Sequence, residues 1–227
     1  MRSRWVVTRI VVVGALVGML TACTNLWQAG WQTAKQALPQ TISSPPQNRD
    51  PNLRFLKVAI NQHEVLMVEA YRAGSESVWV SSDLAILKTR NGYLTDLEGF
   101  RINWQEVRGL NLVTAAQLAK PTAYTRVRNE MPGYRYQIRE SVLVSPLARA
   151  PQEIQLTPPR NANLRWFSEE VRTQLGEQVP SFHYPGVFAI DINQDPYHVV
   201  FGRQCLARDY CIRWQVLEHT ESVGRAQ

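Results

Sequence analysis

The chain has 227 residues, with 25 lysines and arginines against 19 aspartates and glutamates, and three cysteines. That length suits one domain or two small ones, with ample chain for a core. The basic residues are scattered, and no Lys/Arg block marks a nucleic-acid groove binder, so no nucleic-acid partner is expected.

The first 23 residues have the layout of a secretory signal peptide. Arg2, Arg4 and Arg9 form a positive leader, and residues 10–20 are an apolar run broken only by Gly14 and Gly18. The run falls short of the roughly 20 residues a membrane-spanning helix needs. Lengthening it backward takes in Thr8 and Arg9. Leu20-Thr21-Ala22-Cys23 then resembles the lipobox of bacterial lipoproteins. The resemblance implies that the Cys23 thiol takes a diacylglyceryl group, that the leader is cut off before it, and that the new amine is acylated. No cofactor beyond that covalent lipid is expected. An ordinary cleaved signal with an incidental cysteine is the alternative. Each buried methylene contributes about 0.8 kcal/mol, so several acyl chains hold a protein at a bilayer almost permanently. Thr24, in place of the aspartate that keeps enteric lipoproteins at the inner membrane, implies by the same resemblance the periplasmic face of the outer membrane. Without residues 1–22 the chain has 22 basic and 19 acidic residues, a net of +3.

Residues 23–52 read as a lipidated tether. Leu26, Trp27, Trp31 and Leu38 fall near one face of a short helix that Gly30 weakens and Pro39 stops. That face suits either the lipid surface or the folded domain. Ser43, Ser44, Pro45, Pro46 and Pro51 mark an extended linker over 40–52. A β-rich periplasmic domain is expected over 53–220, and 221–227 read as a flexible tail.

Within the domain, strands are expected over 53–60, 64–71, 77–81, 84–90 and 93–97. Asn91-Gly92 between the last two is a strong short hairpin signal, because both residues tolerate positive φ. Residues 104–113 fit a short helix or a loop, and 115–119 a helical turn before Pro121. Residues 124–128 alternate weakly. A strand is expected over 134–145, with Tyr134, Tyr136, Ile138 and Glu140 on one face and Arg135, Gln137 and Arg139 on the other. A short strand fits 153–157. Leu164, Phe167, Val171 and Leu175 have helical spacing, the alternative being a strand over 164–167 and then a polar loop. Strands are again expected over 187–192, 197–204 and 210–218. The fold expected is mainly β: an antiparallel sandwich or a partly open barrel with one or two short helices.

Cys205 and Cys211 flank the last turn. With Cys23 assigned to lipid, and export leading to an oxidising space, these two are expected to form a disulfide.

No constellation fills nucleophile, base and orienter roles, so no catalytic residue is assigned and no enzyme is expected. Glu64, Glu140, Asp191 and Glu218 could supply a glycosidase carboxylate pair, yet nothing in the sequence brings two of them together. Asp191, Asn193 and Asp195 begin like a calcium loop. Pro196 and Gly202 then stand where the bend glycine and the bidentate glutamate belong, so an ordinary turn is the better reading. The four histidines are scattered, and no metal site is assigned. Trp79, Trp104, Trp166 and Trp214 could stack on sugar rings, although a β-rich domain more often buries its tryptophans.

Four stretches carry a second resemblance. They are Val78-Trp79-Val80-Ser81-Ser82-Asp83; Leu87-Lys88-Thr89-Arg90-Asn91-Gly92-Tyr93-Leu94; Gly99; and Phe188-Ala189-Ile190-Asp191 with Arg203-Gln204. Together they resemble the lipoproteins of group 4 capsule and exopolysaccharide operons, the YjbF/GfcB type. Glu98-Gly99 departs from the family's Thr-Gly, and Phe188-Ala189-Ile190-Asp191 from its Trp-Val-Asp strand. The resemblance implies an outer-membrane lipoprotein that supports polysaccharide assembly or export without catalysis. Its partners would be the membrane, the assembly and export proteins, and the polysaccharide itself if contact is direct. Trp79, Arg90, Asn91, Arg203 and Gln204 are the candidates for contact with a glycan or a protein partner. A glycan- or peptidoglycan-binding module is the alternative function, and a periplasmic hydrolase a third.

Overall fold

The structure, a computed structural model, describes residues 53–217 apart from 62, 112, 115–116, 155–162, 175–182 and 208. The leader, Cys23, the tether with its amphipathic stretch, and the tail lie outside the described residues.

Twelve strands follow in order: β1 (Phe55–Ile60), β2 (His63–Ala73), β3 (Glu76–Ser81), β4 (Ile86–Arg90), β5 (Tyr93–Glu98) and β6 (Asn103–Arg108), then β7 (Thr122–Met131), β8 (Arg135–Leu147), β9 (Leu164–Gln174), β10 (His183–Asp191), β11 (His198–Ala207) and β12 (Tyr210–Leu217). They form one antiparallel sheet in the order 5-4-3-2-1-12-11-10-9-8-7-6. Every ladder but one joins strands consecutive in sequence, and β1 pairs with β12 in the register Phe55↔Leu217 to Ile60↔Ile212. The sheet curls until its two edges, β5 and β6, lie against each other without a ladder between them. The result is a nearly closed barrel, the second of the two expected architectures, and its seam falls between consecutive strands.

Side chains fill the interior. One cluster gathers Leu56, Val58, Met67, Trp79, Leu87, Leu97, Trp104, Ile212 and Trp214. A second gathers Val142, Val144, Phe167, Val171, Phe188, Ile190 and Val199. Successive residues of a strand point to opposite faces. Trp166, Val187, Ala189 and Phe201 accordingly form a separate cluster on the other face of β9–β11, packed with Leu147 and Ile154.

Two glycines position this interior. Asn91 and Gly92 turn with φ of 47° and 78°, the left-handed pair a two-residue hairpin needs. The turn is pressed against the opposite wall: Val199 N donates to Asn91 O at 2.9 Å, and Trp214 Nε1 donates to Gly92 O at 3.0 Å. A Cβ on Gly92 would sit 2.0 Å from Val199 O. Gly202 is paired with Trp214 across the β11–β12 ladder, and a Cβ there would lie 2.1 Å from Trp214 Cζ2, inside the indole. Gly202 is therefore the floor on which that ring lies.

Several expectations change. Residues 164–174 are strand, not helix, because Glu169 takes an inward position between Phe167 and Val171 and hides the two-residue period. No α-helix occurs among the described residues. The stretch read as helix or loop from 104 begins inside β6. Of the short strand expected over 153–157, Glu153 lies in a turn and 155–157 are outside the described residues. In β8, Ile138 and Glu140 do share the inner face, but Tyr134 and Tyr136 do not. Gln137 adopts φ of 54°, and the β7–β8 register slips there, so both tyrosines emerge into solvent.

Candidate functional site

The charges that sequence reading left unassigned gather inside the barrel on β7, β8 and β9. Arg126, Arg128 and Glu130 alternate on the inner face of β7 and meet Glu140 from β8 and Glu169 from β9, all of them buried. Arg126 Nε donates to Glu140 Oε2 at 2.5 Å, and its Nη1 reaches Glu169 Oε1 at 3.4 Å. Arg128 donates to Glu140 Oε1 at 2.9 Å and also bonds Glu130, which Arg135 holds from the hairpin end. Tyr124 Oη donates to Glu169 Oε1 at 3.0 Å, and Gln204 Nε2 to Glu169 Oε2 at 3.2 Å. Three guanidiniums thus balance three carboxylates.

Both buried guanidiniums lie over the indole of Trp104, Arg128 at 4.4 Å and Arg126 at 5.0 Å from the ring centroid. Trp104 Nε1 has no hydrogen-bond partner among the described residues, although the side chain is buried. Burial alone would push the Glu140 carboxyl up, but Arg126 and Arg128 outweigh it and hold Glu140 below the usual carboxylate range. Burial works against the charge on Arg126, and the Glu169 and Glu140 carboxylates reverse that and raise it. Burial, followed by the charge of Glu169, pushes the Tyr124 hydroxyl up. Glu140 and Arg126 are therefore both held in their charged forms, and Tyr124 in its neutral one.

Of the five candidate contact residues, only Gln204 joins this network. Trp79 is 1% exposed and donates to Thr89 Oγ1 at 3.2 Å, so it offers no free ring face. Asn91 is buried in its turn. Arg90 is exposed and paired with Glu76 at 2.7 Å, and Arg203 reaches Glu153 at 3.2 Å. The structure does not gather the five into one surface. Ser81, beside Trp79, accepts the Ala85 amide at 2.9 Å and bonds Asp83, which shapes the β3–β4 turn. Cys205 and Cys211 face each other across β11 and β12 and are bridged. Asp191 Oδ1 accepts the amides of Asn193 at 3.0 Å and Asn163 at 3.2 Å, which is how an aspartate caps a turn.

Among the described residues, open grooves lie at the seam and across β7–β9. One, about 400 Å³, lies at the seam among Glu76, Lys88, Arg90, Asp96, Glu106 and Arg108. Its charges are paired with one another or with Glu98. The other, about 440 Å³, crosses β7, β8 and β9, with Ala123, Thr125 and Ser141 as its short side chains and Leu143, Glu170 and Arg172 around them.

A family model described as Group 4 capsule polysaccharide lipoprotein gfcB, YjbF matches residues 36–206, well over half of the chain. The chain belongs to this family. No curated protein matches it. Among solved structures, the crystal structure of the hypothetical lipoprotein YmcC from Escherichia coli (K12) superposes with a TM-score of 0.59. It is 20% identical, over 76% of this chain and 90% of that one, a likeness that shows a shared fold. The YjbF match covers all four stretches on which the sequence resemblance rested.

Proposed function

We propose that this YjbF-family protein is a non-catalytic lipoprotein of the outer membrane that supports the assembly or export of a capsule or exopolysaccharide. Acyl chains on Cys23 would anchor it at the periplasmic face, and the outer surface of the barrel would do its work. One observation supports the reading: every buried carboxylate of the β7–β9 network is tied to a guanidinium. A general acid needs a proton near neutral pH, and Glu140 is held away from one. What is left for partners is the outside of the barrel, and the capsule-polysaccharide family gives the process it would serve.

The test is genetic. Deleting the gene should strip polysaccharide from the cell surface, and the wild-type gene should restore it. Cys23→Ser should yield an unlipidated chain that fails to restore it. Undiminished surface polysaccharide in the deletion strain would refute the role, and full rescue by Cys23→Ser would refute the anchor.

A further inference from the structure

We infer that the outer face of β8 and its hairpin tip form a track for a polysaccharide chain bearing carboxylates, a proposal that rests on the reading above and names its direct ligand. Three observations meet on this strip. The first is the groove itself. The ladders set Leu143 between Ala123 and Glu170, and Ser141 between Thr125 and Arg172. Short side chains in adjacent rows leave an open trough of about 440 Å³.

The second is unspent charge. No hydrogen bond or ion pair among the described residues holds Arg139, Glu170 or Arg172, nor the Thr125 and Ser141 hydroxyls. The seam groove, similar in size, has its charges paired internally and offers a ligand no free cation. Two free guanidiniums against one carboxylate favour an anionic ligand, and a guanidinium matches a carboxylate with two parallel hydrogen bonds.

The third is the hairpin tip. Among the described residues β8 pairs with β9 as far as Arg139↔Gln174, and residues 135–138 lie past the described part of that ladder. There Tyr134 is 75% exposed and Tyr136 58%, the two most exposed large aromatics of the tip and trough. A tyrosine ring has an apolar face that suits the C–H surface of a sugar and a hydroxyl that bonds its rim. From Arg135, where β8 begins, to Leu143 the strip runs for roughly 25 Å at the usual strand rise, the reach of an extended polymer and not of a single sugar. Leu143 is the only large aliphatic side chain of the trough that is exposed, and with Ala123 it offers too little apolar area for the core of a protein interface.

The test uses the full mature chain, purified from membranes in detergent, and extracellular polysaccharide extracted from the producing cells, before and after chemical reduction of its carboxyl groups. Calorimetric titration should show binding of the native polymer that weakens with salt, and about tenfold weaker binding by Tyr134→Ala/Tyr136→Ala. Arg139→Ser/Arg172→Ser should lower the affinity for the native polymer to that for the reduced one. Tyr71→Ala, an exposed tyrosine on β2, should bind as wild type. The track is overturned if the native polymer does not bind, if the reduced polymer binds equally well, or if the tip and groove variants bind unchanged. Should the tip variant strip surface polysaccharide from cells while the purified protein binds none, the strip serves a protein partner. That result would sink the glycan track and leave the role in polysaccharide production standing.

Discussion

Glu140 and Arg139 are neighbours in the chain, as are Glu169 and Glu170, yet they live under opposite rules. On the inner faces of β8 and β9, Glu140 and Glu169 are buried and held by Arg126, with Arg128, Tyr124 and Gln204 completing the set. One residue away, on the outer faces, Arg139, Glu170 and Arg172 are exposed and have no ion pair among the described residues. Removing a charge from water costs several kcal/mol unless a partner meets it, so inner charges must come as a balanced set. Outer charges carry no such requirement and remain available to a ligand. Inside the barrel, charge specifies structure; on the groove, it is free for recognition.

The sharpest way to break this contrast is to delete one charge from each side. Glu140→Ala leaves two buried guanidiniums short of their carboxylate and should cost about 3–5 kcal/mol. Glu170→Ala, thirty residues on but outside, should stay within about 0.5 kcal/mol. Chemical denaturation of the two variants measures both, and equal losses would refute the division. Gly202→Ala tests the packing around the network: the methyl would enter the Trp214 ring, and a loss of about 1–3 kcal/mol is expected from forced repacking.

Acid sharpens the same contrast. The Glu140 carboxyl is depressed in the folded protein, so its contribution is complete at neutral pH and is lost as pH falls through its folded value, below the ordinary carboxylate range. His198 titrates in a separate window. Burial, then the charge of Arg54, lowers it from 6.5 to about 4 against the opposing pull of Asp191, its cross-strand partner. Between those two values the unfolded chain binds a proton that the folded one refuses, so stability should fall as pH drops from about 6.5 to about 4. His198→Asn should flatten that limb and leave the lower one, where Glu140 acts. The smallest expected change is at Arg172→Ser: a melting temperature indistinguishable from wild type, checked by calorimetry.

Strand positions were legible wherever local chemistry spoke alone. Asn91-Gly92 marked its hairpin because only residues that accept positive φ close such a turn, and the spacing of Cys205 and Cys211 marked the last one. The inner network was hidden because arginine and glutamate on a strand read as solvent-facing. Only the barrel's closure brings Arg126, Arg128 and Glu140 to face one another. The same substitution of charge for apolar side chains disguised β9, where Glu169 breaks the alternation and Trp166 is buried on the other face. Tyr134 and Tyr136 were grouped on one face with Ile138 and Glu140 because a slip at Gln137 leaves no mark in the residue pattern. Which strand neighbours which was likewise unreadable, since the ladder between β1 and β12 depends on contacts more than 150 residues apart.

That ladder also sets an order of events. The opening strand has β2 on one side but no neighbour on the other until residues 210–217 arrive, the last eight of the barrel. A nascent or partly translocated chain can form hairpins along its length, but Phe55–Ile60 must wait with an open flank for the far terminus. Closure so dependent on distant contacts is slow compared with local pairing. A chain that stops short of Tyr210 would therefore hold an exposed edge indefinitely, a natural target for chaperones and proteases.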